Sequence, residues 1–333
     1  MTEELRGTAR KMVERGKGLL AADESTGSAG KRLAAVGVAS TLETRRQYRD
    51  LFLSARGVDA YLSGVILFDE TMRQRADDGT PFPERLARQG ILPGIKVDQG
   101  RVPLPDHPGE TATQGLGGLE QRLAEYRALG ARFCKWRAAF PIAEHLPSPE
   151  AIFANTEALA QYAQICHAQG LVPIVEPEVL MDGDHDLATA ERVTGLVLRA
   201  LFDALDGYGV DLSAVILKTS MAVSGSLDAR PAGPEEVGEA TARLLRDHVP
   251  PDTAGVVFLS GGEPPVRETE FLNAVARRGP FPWPVTFSFA RALQGPTLEI
   301  WRGRAENVEA ARAVFLRRLE LDALASLGLY EGE

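Results

Sequence analysis

"AVILKTSM", residues 214–221, sets four apolar residues in a row and ends the run on Lys218. A run without polar alternation is what a strand covered on both faces requires. The ammonium group of Lys218 therefore stands at the end of a buried strand. A lysine so placed is most often ion-paired or reaches water along its own stem. The composition points to chemistry instead. Of 37 Lys and Arg residues only 6 are lysines, and the other 31 are arginines. Lys96, Lys135 and Lys218 all lie in strand-like apolar runs. Arg stays charged in proteins, whereas a desolvated Lys can lose its proton and become a nucleophile.

Seven more runs resemble the one that ends at Lys218. Together the expected strands are 18–23, 64–69, 93–98, 132–137, 171–178, 214–219, 255–260 and 284–289. Helical stretches separate or follow them at 43–56, 117–129, 149–169, 186–206, 234–248, 266–278 and 305–327. The N-terminus reads as a further polar helix. Ser148 followed by Pro149 is a helix start signal. Eight strand–helix alternations predict a (β/α)8 TIM barrel of one domain over 1–333, with extra helices at both ends. A doubly wound sheet is the competing architecture. No linker or repeat divides the chain.

The bulk numbers bound the function. A formal charge of −9 and a hydrophobic content of 44% describe an ordinary soluble chain. They argue against general binding to nucleic acid or to an anionic membrane. No apolar run approaches the ~18 residues of a membrane span. The N-terminus lacks a signal peptide's apolar core, and Cys134 and Cys166 give no disulfide framework. A cytoplasmic protein is expected.

Polar residues gather where these strands end, at Asp23, Asp69, Lys96, Lys135, Arg137, Glu176, Glu178, Lys218 and Ser260. Barrel enzymes carry their active sites at that end. Lys135 and Arg137 share one side of their strand, as do Glu176 and Glu178. A lysine beside another cation or in a dry setting has a lowered pKa, and Lys218 is the best nucleophile candidate. The double glycine of "FLSGGE" (258–263) can turn backbone N–H groups toward a phosphate, with Arg291 adding donors. A second anion site is expected in "DESTGSAGKR" (23–32), around Ser25, Ser28, Lys31 and Arg32. Metal catalysis is the rival mechanism. The five histidines form no ligand spacing, and "DGDHD" (182–186) reads better as a helix-capping loop.

With these residues in place, the chain resembles the class I fructose-bisphosphate aldolases. The matching motifs include "AADESTGS", "VILFDETMRQRADDGTPFP", "GIKVDQG", "KWR", "VPIVEPE", "ILKTSM", "FLSGG" and "SFARALQ", in the family's order from about residue 20 to 327. The resemblance implies a Schiff base on Lys218, with Glu176 as acid–base residue for its dehydration. Asp23 would take the C4 hydroxyl proton and Lys135 would polarise the substrate, with Glu178 and Lys96 supporting the charge network. Ser260, Gly261, Gly262, Ser288 and Arg291 would hold one phosphate and Arg32 the other. It further implies a phosphorylated sugar substrate, a homotetramer, and neither cofactor nor metal. Three departures stand out. Thr219 and Ser220 follow the active lysine, Ala290 stands where the phosphate loop typically has Gly, and the chain stops at "GLYEGE". Tyr330 in that short tail is expected to be too close to the last helix to reach the active site unless that helix ends at the barrel rim.

Overall fold

The computed structural model describes residues 2–333. Among the described residues ten strands form: β1 Gly18–Ala22, β2 Leu62–Leu67, β3 Leu92–Lys96, β4 Arg101–Pro103, β5 Thr111–Thr113, β6 Phe133–Phe140, β7 Val172–Val179, β8 Ile216–Thr219, β9 Gly255–Phe258 and β10 Val285–Phe289. Eight of them close into a parallel barrel in the order β1-β10-β9-β8-β7-β6-β3-β2, while β4 and β5 pair as a separate antiparallel hairpin. Helices lie between the barrel strands, as the alternation predicts. The doubly wound alternative is excluded by closure.

All eight expected strands are present, with shifted ends. The strand expected at 214–219 starts at Ile216, because Leu212–Ala214 forms a 3-10 turn capped by the Asp211 side chain. The run expected at 64–69 ends at Leu67, and Asp69 opens a short helix instead. The helix Thr26–Ala35 begins within the 23–32 segment, where the anion-site reading puts a helix start, whereas the hairpin and the helices Phe82–Arg88 and Arg291–Trp301 have no counterpart in the sequence reading. Ser148 accepts a hydrogen bond from the Ala151 N–H at 3.1 Å, and Asp186 accepts one from the Thr189 N–H at 2.8 Å. The "DGDHD" segment therefore ends in a helix cap, as read from sequence. No described helix is long and apolar enough to cross a membrane.

Two apolar layers follow from the two-residue period of the strands. Outward residues such as Val65, Trp136, Val175, Leu217 and Phe258 pack under the helices. Inward residues Leu19, Ala21, Ile66, Phe133, Val172, Ile174, Ile216 and Val257 fill the barrel. Leu5, Ala9, Met12 and Val13 join that inner cluster, so the N-terminal helix Thr2–Met12 stops the lower end of the barrel. The inner layer then changes character within one step of the pleat. Two residues beyond Ala21, Phe133, Ile174 and Ile216 stand Asp23, Lys135, Glu176 and Lys218, on the same inward face.

The C-terminal helix Val308–Ser326 ends against its neighbours. Gly328 takes φ +73, and its N–H and that of Leu329 donate to Ala325 and Leu324 carbonyls at 3.0 Å. This left-handed step suits glycine and reverses the chain. Tyr330 is thereby laid on the helix Pro265–Ala276, where the Asn273 side chain both donates to its carbonyl and accepts from its N–H, each at 3.1 Å.

Candidate active site

A cleft of about 860 Å³ opens at the C-terminal ends of the strands. Register explains which side chains meet there. Lys96 pairs with Lys135, and Arg137 with Glu176. Ile174 and Val175 pair with Ile216 and Leu217, which brings Glu176 level with Lys218. The consequence is a compact set of charges. Glu176 Oε1 lies 3.2 Å from Lys218 Nζ, and Glu176 Oε2 lies 2.5 Å from Lys135 Nζ. Lys135 Nζ donates a hydrogen bond to Asp23 Oδ2 at 3.0 Å. Glu176 thus bridges two lysines, and Lys135 bridges two carboxylates.

Lys218, Lys135 and Glu176 are each no more than 4% exposed. Burial pulls both lysines below the ordinary lysine range, because the charged form loses its water. Asp23 and Glu178 oppose the shift at Lys218, while Arg137 adds to it. Burial alone would raise Asp23. Lys135, Lys218 and Lys96 outweigh it and hold the carboxyl well below the usual range. At neutral pH Asp23 is therefore ionised. Lys135, with carboxylates at 2.5 and 3.0 Å, keeps its proton more firmly than Lys218, which has one at 3.2 Å. The 2.5 Å contact is a charge contact without hydrogen-bond alignment, so Glu176 Oε2 remains a buried acceptor with no hydrogen-bond partner. It can take up a further proton donor.

The other predicted residues divide into anchored and open groups. Lys96 is tied to Asp98, and Arg137 to Glu178. Ser25 caps the helix Thr26–Ala35 by accepting from the Ser28 N–H at 3.3 Å, and the two hydroxyls lie 3.2 Å apart. Arg32 lines the cleft, yet its guanidinium is held by Glu24 and Gln294. On the other flank, Ser260, Gly261, Ser288 and Arg291 line the cleft, while Gly262 is not part of its lining. Gly261 and Gly262 take φ +47 and +147, conformations that side chains resist. Arg291 Nη2 donates to the Gly261 carbonyl at 2.5 Å. The Ser288 hydroxyl is buried without a partner. A loop of this shape, an idle hydroxyl and a guanidinium have the chemistry to receive an anion. Ala290 adopts φ −115, so the residue replacing the expected glycine needs no left-handed backbone.

Sequence reasoning missed Glu24, which anchors both Arg32 and the buried Arg49. It also missed Asp98, Arg73 and Arg101 of the lining. Asp98 lies two residues beyond Lys96 on the same face, a signal that could have exposed it. Tyr330 does not line the cleft; it belongs to the outer core and is 5% exposed.

Comparisons with known proteins point to one family. The family described as fructose-bisphosphate aldolase class-I matches residues 4–333. A probable fructose-bisphosphate aldolase class 1 of Xanthomonas campestris is 48% identical over 331 residues, 99% of each chain. Fructose-bisphosphate aldolase C of Pan troglodytes is 48% identical over 332 residues, 99% of this chain and 91% of that one. A fructose-bisphosphate aldolase of Plasmodium falciparum, solved in complex with TRAP and a small-molecule inhibitor, superposes with a TM-score of 0.98 at 44% identity. The match covers 99% of this chain and 96% of that one.

Proposed function

The chain belongs to the class I fructose-bisphosphate aldolase family, a lyase family that cleaves fructose 1,6-bisphosphate reversibly through a lysine Schiff base, and we propose that Lys218 carries that Schiff base. The supporting observation is the bridge at Glu176. One carboxylate touches the lysine that can spare its proton and the lysine that holds one. Lys218 Nζ, once neutral, attacks the C2 carbonyl of the open-chain ketose. Glu176 delivers the proton that lets the C2 hydroxyl leave as water, and the product is an iminium. The C3–C4 bonding pair then flows into the iminium as the C4 hydroxyl gives its proton to Asp23. Glyceraldehyde 3-phosphate leaves, and the enamine is protonated and hydrolysed to dihydroxyacetone phosphate. Lys135 stays protonated and steadies the negative charge that develops at the C4 oxygen.

The phosphate next to the reacting C2 falls on the loop beside Lys218. Lys218 pairs with Val257 on β9, and Ser260 stands three residues further along. We further read the chain as one barrel domain that assembles as a homotetramer in the cytoplasm. The test of the core assignment is reductive trapping. Dihydroxyacetone phosphate with borohydride should fix a three-carbon adduct on Lys218, and Lys218→Arg should abolish it, because guanidinium does not deprotonate. An adduct mapped to Lys135 or Lys96 overturns the assignment.

A further inference from the structure

Nine basic side chains line the cleft, and eight of them are occupied by the protein itself. Six have the partners described above. Arg73 is held by Asp69 at 2.9 Å and Glu125 at 2.6 Å, and Arg122 by the carbonyls of Val97 and Gly115. The ninth is Arg101. Among the described residues it has neither an ion pair nor a side-chain hydrogen bond, and it is exposed at the cleft.

Its backbone, in contrast, is fixed. Arg101 opens β4 and pairs with Thr113 of β5. Thr113 donates from its hydroxyl to the Arg137 carbonyl at 2.9 Å and from its N–H to Asn155 at 3.1 Å. On either side, the Gln99 N–H donates to Gln114 at 2.8 Å and the Gln114 N–H to Gly100 at 2.9 Å. The hairpin is thus pinned to the rim between β3 and β6, and only the guanidinium is left free.

Topology says what that guanidinium faces. In the barrel order, β3 lies four strands from β9, and β6 lies four strands from β10. The hairpin therefore stands diametrically across the cleft from the Ser260–Gly262 loop and Ser288, with Lys218 in between. Arg32, which the family resemblance nominates for the remote phosphate, follows β1, the immediate neighbour of β10. It is on the near side and already engaged.

We propose that Arg101 is the specificity-determining residue for the second phosphate of a bisphosphate substrate, the one remote from the Schiff-base carbon. This rests on the aldolase reading above. A dianion arriving there meets a cation that gives up no internal partner to bind it, and a fork of donors suited to phosphate oxygens.

The experiment compares Arg101→Ala and Arg101→Lys with the parent on fructose 1,6-bisphosphate and fructose 1-phosphate, and adds borohydride trapping by dihydroxyacetone phosphate. Expected for Arg101→Ala is a fall of about tenfold or more in kcat/KM for the bisphosphate, carried by KM. Fructose 1-phosphate turnover and trapping stay at parental levels, and Arg101→Lys regains part of the loss. An equal fall on both ketoses, or none on the bisphosphate, overturns the proposal. A parent enzyme that cannot be trapped would instead refute the aldolase reading. The residue is exposed, and an unchanged thermal melt separates loss of contact from loss of fold.

Discussion

Replacing Glu176 by Gln and Lys135 by Met should move the titration of Lys218 in opposite directions. Glu176 Oε1 is 3.2 Å from Lys218 Nζ and favours the ammonium form. A charged contact of this kind is worth about 1.5–3 kcal/mol net, and about 1.4 kcal/mol corresponds to one pH unit. Without the carboxylate, the amine should become available at lower pH. Lys135→Met does the reverse. It removes a cation that disfavours a second charge nearby and leaves Asp23 and Glu176 without their Lys135 partner, so the amine holds its proton to higher pH. The assay is the initial rate of cyanoborohydride trapping by saturating dihydroxyacetone phosphate, followed across pH, with the midpoint read separately from the amplitude. Amplitude and turnover carry the second effect. Glu176→Gln removes the proposed proton donor for dehydration, and general acid catalysis of this type contributes about 10²–10⁴ in rate. Lys135→Met should also destabilise the fold by about 3–5 kcal/mol, as breaking a buried pair does. Midpoints that shift the same way in both variants, or a Glu176→Gln enzyme within threefold of the parent, would refute the bridging role.

Two further outcomes follow from the cleft and the tail. On the proposed role of its guanidinium at the phosphate beside the Schiff base, Arg291→Ala should weaken capture of dihydroxyacetone phosphate by about ten- to a hundredfold; a ketose lacking that phosphate should be spared, and equal losses would make Arg291 structural. Removing residues 328–333 should leave cleavage and the exchange of dihydroxyacetone phosphate's proton with solvent within a few fold of the parent, since Tyr330 lies in the outer core and not in the cleft. Taking a core aromatic away costs about 3–5 kcal/mol, so the same truncation should lower the urea midpoint. A selective collapse of exchange in a stably folded truncation would show that Tyr330 visits the active site.

The barrel was legible because parallel strands covered on both faces leave an unusual trace, short apolar runs that each end on a polar residue. The strand ending at Lys218 and the "VPIVEPE" run carry both the fold and the chemistry in one reading. Strand ends were less legible. Ala214 and Val215 are apolar enough to extend β8, but the Asp211 side chain caps a turn there and delays the strand. The hairpin left almost no trace, since its strands are three residues long and their exposed faces lack apolar alternation. Arg32 shows the limit of residue type as evidence. Its residue type, beside the serines of the 23–32 segment, points to a phosphate ligand. Whether a guanidinium is free depends on Glu24 and Gln294, the latter 262 residues away in sequence.

That dependence explains how an acidic chain presents a cleft for a bisphosphate. The whole chain carries −9, but the cleft lining holds nine basic residues against seven acidic ones, a balance of +2. Six of the nine cations are paired with these carboxylates, which limits the cost of burying them. A substrate with two dianionic ends then needs somewhere to discharge its own field. The structure offers two such places of different design. On the β9–β10 side the donors are backbone N–H groups, an idle hydroxyl and an arginine resting on a carbonyl, all fixed before the substrate arrives. On the β3–β6 side a stiff hairpin carries one unpaired arginine on a flexible stem. Fixed donors suit the phosphate one carbon from the Schiff base, whose position the covalent bond already dictates. A movable donor suits the far phosphate, which travels with the aldehyde half when the C3–C4 bond breaks and must be released while the other half stays attached.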